Sequence, residues 1–78
     1  MSYNTEMIAA GLEYPEDDAL FACIVKNCMM ATGLTLTELA EEFSISVPSV
    51  ERWRSGKTAP HPAMRPQIYR YFLGRLVP

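Results

Sequence analysis

Little in this chain is equipped for covalent chemistry. Of its 78 residues one is histidine, His61, and two are cysteine, Cys23 and Cys28. A metal site needs about four ligands at suitable spacing, so no metal is expected. General acid–base or nucleophilic catalysis needs convergent polar groups in a cleft. A lone histidine, few glycines and no phosphate-cradling loop give an enzyme nothing to build on, and no cofactor is expected. No run reaches the roughly 18 apolar residues of a membrane span, so no membrane partner is expected. The apolar stretch from Ala19 to Ala31 is internal and interrupted by Lys26, so it does not read as a signal peptide. Cys23 and Cys28 would lie about 140° apart around a helix, poorly placed to bridge. They read as buried reduced thiols, and the protein as cytoplasmic.

What is present is apolar residue and unevenly placed charge. Hydrophobic residues make up 49 % of the chain, which suits a globular domain and not a disordered one. The length fits one domain with a thin core. The formal net charge is −2. Residues 1–42 carry Glu6, Glu13, Glu16, Asp17, Asp18, Glu38, Glu41 and Glu42 against a single base, Lys26. Residues 43–78 carry Arg52, Arg54, Lys57, Arg65, Arg70 and Arg75 against a single acid, Glu51. The near-neutral total therefore hides a strong asymmetry. A one-sided basic region is a footprint for an anionic partner. It is equally consistent with two halves that attract one another within or between subunits.

The pattern of residues predicts helices and no sheet. Residues 1–14 read as an N-terminal arm or a short helix, about Thr5 to Leu12, weakened by Gly11. Residues 15–78 read as the main domain. Pro15 followed by Glu16, Asp17 and Asp18 signals a helix start, and Gly33 its left-handed cap. Phe21, Ile24, Val25 and Cys28 form one stripe, with Cys23 and Met30 nearly opposite. Thr35 and Glu38 form a capping-box pair. Behind them Leu36, Leu39, Ala40 and Phe43 repeat at helical spacing. Ser46 can cap the next helix, with Pro48 in its first turn and Gly56 at its end. A last helix is predicted from about Ala63 to Leu76, with Met64, Ile68, Tyr71 and Phe72 facing the core and Tyr69 and Leu73 on a second stripe. The expected fold is a small all-α bundle of four to five short helices.

Two of these helices, about 35–44 and 46–55, are joined by only about three residues, the spacing of a helix-turn-helix. The stretch LTLTELAEEFSISVPSVERWRSGKTAP resembles the lambda-repressor-like (Cro/C1-type) DNA-binding family. The resemblance covers roughly residues 19 to 73. It is carried by Leu39-Ala40, Phe43, Ile45, Val50, Trp53, Gly56 and a following Pro. It implies that Ala40 is the small residue where the two helices touch, and that Ile45, Val50 and Trp53 hold the second helix on the core. Val47, Pro48, Ser49 and Arg52 match the positions that face the major groove. Arg52 is the strongest base reader, because a guanidinium can bind guanine O6 and N7 together. Arg54, Ser55, Lys57 and Thr58 match or flank the helix end and loop that approach phosphates, contacts that position without specifying sequence.

Three features depart from the family pattern. Leu36 stands where many members carry Gln, and Leu cannot hydrogen-bond. Ser44 stands in the turn where many carry Gly, at a strain of about 1 kcal/mol if the residue is left-handed. Glu38, Glu41 and Glu42 crowd the first helix of the pair and oppose phosphate if they face it.

The function expected from the resemblance is sequence-specific binding of double-stranded DNA by a small transcriptional regulator. A homodimer on two half-sites is expected with it. Cys23, Met30, Tyr69 and Leu73 are the candidate dimer surfaces. The alternative is a protein-interaction module on the same fold: an anti-repressor, adaptor or antitoxin-like protein whose acidic half meets a protein partner. Trp53 and Phe43 read as core, Arg70 and Arg75 as solvated helix charges, and His61 as a loop residue.

Overall fold

The helices start and stop where side chains satisfy the backbone. The structure, a computed structural model, describes residues 3–77. Among these residues are five α-helices, one 3-10 turn and no strand. The helices are α1 (Tyr3–Glu13), α2 (Asp18–Thr32), α3 (Leu36–Phe43), α4 (Val47–Ser55) and α5 (Arg65–Leu76). The small all-α bundle is therefore what the chain forms.

The caps explain the boundaries. The Asp17 carboxylate accepts from the Leu20 amide at 2.9 Å, so α2 begins after it and not at Pro15. Thr35 and Glu38 form the reciprocal capping box, both bonds at 3.1 Å. Ser46 Oγ accepts from the Ser49 amide at 3.3 Å and starts α4. Gly33 and Gly56 close α2 and α4 in the left-handed conformation. Ser44 closes α3 at φ 55°, the one described non-glycine residue at positive φ. The last helix is preceded by a 3-10 turn, Pro62–Met64, in which His61 Nδ1 accepts from the Ala63 amide at 3.0 Å. It thus begins at Arg65, later than the periodicity predicts.

Helix α1 packs on α2 and α5, α2 also meets α4 and α5, and α3 packs on α4. The core is built from Phe21, Ile24, Val25 and Cys28 of α2, Val50 and Trp53 of α4, and Ile68, Tyr69 and Phe72 of α5. Ile8 adds to it from α1, and Leu39 and Ala40 from α3. Phe21 sits at the centre, 5.8 Å from the rings of both Trp53 and Tyr69. Phe43 is half-buried and meets Tyr71 edge-on at 5.5 Å. No single described helix is long and apolar enough to cross a membrane.

Several expectations are corrected by this packing. Of the two readings of the N-terminal residues the structure has the helix, Tyr3–Glu13, longer than the expected Thr5 to Leu12 and packed against the core; Met1 and Ser2 lie outside the described residues. Gly11 does not merely weaken α1. A Cβ there would come within 2.6 Å of Ile24 Cδ1 and 2.8 Å of the Tyr69 ring, so glycine is what lets α1 approach. Tyr69 is fully buried and lies on no dimer surface. Met64, placed on the core face by its spacing, is 39 % exposed, because the 3-10 turn rotates it out of register with α5. Cys23 is exposed, and only Cys28 is a buried thiol, its pKa pushed up to about 11 by desolvation.

Arg65 is the sharpest departure. It belongs to the basic half by sequence but is 3 % exposed. Its guanidinium donates to Asp18 at 2.6 Å, to the Pro15 carbonyl at 2.8 Å and to the Pro60 carbonyl at 3.0 Å. It also lies 5.3 Å over the Phe21 ring. One base of the basic half is therefore internal. It ties the α1–α2 turn to the loop after α4.

Candidate functional site

Helix α4 is held by one face and leaves the other free. Val50 and Trp53 are buried, at 0 % and 8 % exposure. At about 100° per residue, Pro48, Arg52 and Ser55 fall on the opposite side. All three are exposed. Val47, 37 % exposed, and Glu51 lie on one flank of that face. Ser49 is half-buried on the other flank. Its hydroxyl lies 2.8 Å from that of Ser46, so it is engaged at the cap.

The end of the helix is tightly wrapped. The Arg52 carbonyl accepts from the Gly56 amide, the Lys57 amide at 2.9 Å and the Thr58 amide at 3.4 Å. Ser55 Oγ donates to the same oxygen at 3.2 Å. This fixes the path of residues 56–58 and leaves the Lys57 and Thr58 side chains exposed. Arg54 departs from the group. It is half-buried, lies toward α2 and makes a loose 3.5 Å pair with Glu51. Of the eight predicted site residues, the structure brings Pro48, Arg52 and Ser55 onto one outward face. Lys57 and Thr58 follow on the loop, Val47 and Ser49 form the rim, and Arg54 stands apart.

The first helix of the pair presents a different surface. Glu38, Glu41 and Glu42 are exposed on α3. Leu36 is half-buried against the core, so its apolar character serves packing. Ala40, 5 % exposed, is buried where α3 meets α4.

Two residues near the site escaped the sequence reading. Glu51 places an acid beside Arg52 on the free side of α4. Lys26, remote in sequence, lines a cleft shared with Arg54 and Ser55. Helical periodicity gives the first; nothing local in the sequence gives the second. Among the described residues no His, Cys, Asp or Glu group could hold a metal ion. Comparison with models of known protein families, with curated proteins and with solved structures finds no match in any of the three.

Proposed function

We propose that the protein binds double-stranded DNA sequence-specifically, as a small transcriptional regulator, with α4 in the major groove. One observation carries the reading. Arg52 stands exposed on the free face of a helix whose other face is locked into the core by Val50 and Trp53. A helix held this way presents its outer residues to a groove as a rigid unit. Arg52 is the base reader, with Pro48 and Val47 as apolar contacts and Ser49 at the rim. Lys57 and Thr58 lie along the phosphate backbone, with Arg54 and Ser55 at the helix end. The protein acts in the cytoplasm as a homodimer on two half-sites. Cys23 and Met30 remain available on the surface for that contact, Met30 at 74 % exposure.

A second reading rests on α3. Its exposed Glu38, Glu41 and Glu42, with Leu36 turned to packing, suit a protein partner better than phosphate. On that reading the fold serves an anti-repressor, adaptor or antitoxin-like role.

Fluorescence anisotropy against a random duplex library, from low to physiological salt, separates the two. A DNA reader gives binding whose logarithm falls linearly with log salt, and a selectable sequence subset. Absence of binding at low salt overturns the DNA reading in favour of the interaction module.

A further inference from the structure

Lys26 is the only base among residues 1–42, and the fold sets it on one cleft with Arg54 of the basic half. It is exposed on α2 and lines a cleft of about 410 Å³ with Met29, Met30, Leu34, Arg54 and Ser55. The lining holds two cations and no acid. We infer that Lys26 and Arg54 together hold a DNA phosphate in this cleft, beyond the base-reading face of α4. The inference rests on the DNA-binding reading and extends its footprint onto α2.

Three observations favour a phosphodiester as the occupant. Two like charges on one cleft are unfavourable until an anion lies between them, and a guanidinium fork with an ammonium suits phosphate oxygens. Met29 and Leu34, both buried, give the cleft an apolar, low-dielectric floor that strengthens the field of the pair. The cleft is also continuous with the DNA-facing side through Ser55, which belongs to both. A backbone strand that follows the end of α4 past Ser55 therefore reaches the cleft. Arg54 has donors to spare, since its pair with Glu51 is at the 3.5 Å limit of a hydrogen bond.

The test compares wild type with Lys26→Gln and Lys26→Arg on a duplex selected from the random library. Lys26→Gln should flatten the salt slope by about 0.9 on selected and random duplexes alike. Lys26→Arg should restore it. Lys26 is exposed, so the melting temperature should not move in either variant. A second readout locates the contact: the selected duplex is made with single neutral methylphosphonates, scanned along each strand. One phosphate outside the bases read by Arg52 should weaken wild-type binding when neutralised and leave Lys26→Gln unaffected. An unchanged slope in Lys26→Gln, or equal sensitivity of both proteins at every phosphate, overturns the subsite while the DNA reading stands. Loss of affinity for an acidic peptide with no loss on DNA overturns it too. Failure of the wild type to bind any duplex removes the DNA reading and the subsite together.

Discussion

Arg65 and Arg52 belong to the same basic half of the chain and do opposite things. Arg65 is buried, and its guanidinium is hydrogen-bonded to Asp18 and to the Pro15 and Pro60 carbonyls. The Arg52 side chain is exposed, and the loop that follows α4 engages its backbone carbonyl. The region around Arg65 is a knot that holds helices together. The region around Arg52 is a surface held out by a helix already locked in place. A count of charges along a sequence treats the two alike. Burial separates them, because a buried guanidinium must find partners and an exposed one need not.

That contrast predicts opposite phenotypes. Arg65→Ala leaves the Pro15 and Pro60 carbonyls without their donor and uncovers the Phe21 ring. It should destabilise the fold by about 2–4 kcal/mol in urea titration, because three hydrogen bonds of a buried guanidinium and its packing on Phe21 are lost together. Per folded molecule it should leave the salt slope of any DNA binding unchanged. Arg52→Ala should do the reverse. Stability should stay within about 0.5 kcal/mol, and binding to the selected sequence should weaken by about 1–3 kcal/mol. Equal loss on selected and random DNA would rule out base reading. Lys57→Ala should weaken both alike and flatten the salt slope by about one.

Smaller effects sharpen the picture on each side. On the core side, the Tyr69 hydroxyl is buried without a hydrogen-bond partner. Tyr69→Phe should stabilise the fold by about 1 kcal/mol. Burial pushes the Tyr69 phenol up to about 12, with Arg65 pulling the other way. Between about pH 10 and 12 the unfolded chain therefore releases this proton while the folded one keeps it. The folded state binds more protons there, so stability falls as pH rises through that window. Thermal melts at rising pH should show the fall, and Tyr69→Phe should reduce it. On the surface side, Ser44 sits at φ 55° in the turn that leads into α4. Ser44→Gly should stabilise by roughly 0.5–1 kcal/mol, because glycine carries no Cβ penalty in that conformation.

Much of the architecture was legible from local signals. The capping box at Thr35 and Glu38, the Ser46 cap, and the closing glycines at 33 and 56 set the bounds of α3 and α4 within a residue or so. The spacing of Val50 and Trp53 gave the face that α4 buries, and so the face it frees. The features that escaped depend on contacts far apart in sequence. Gly11 reads as a weak helix former until Ile24 and Tyr69 are seen against it. Met64 leaves the core face because it lies in the 3-10 turn ahead of α5, and Tyr69 is buried because Gly11 of α1 and Phe21 of α2 both meet it. Cys23 looks as apolar as Cys28, yet it is exposed on α2 while Cys28 is buried. Of the candidate site, the free face of α4 was visible beforehand. The separation of Arg54 from it, and the approach of Lys26, were not, since both follow from how α2 lies against α4.

The Arg65 knot has a consequence for α3 and α4, which it never touches. Asp18 and Pro15 lie before these helices in the chain, and Pro60 and Arg65 after them. One side chain thus clasps both ends of the segment that carries α4, as a buckle closes a strap. Between those two ends the segment packs on the core through Phe21, Val50 and Trp53. Its geometry is settled when the chain folds, before any ligand arrives. Association then asks little further ordering of the backbone, which leaves more of each contact's energy to show as affinity. To the hold of Val50 and Trp53 on α4 the chain thus adds a single arginine that the exposed face does not include.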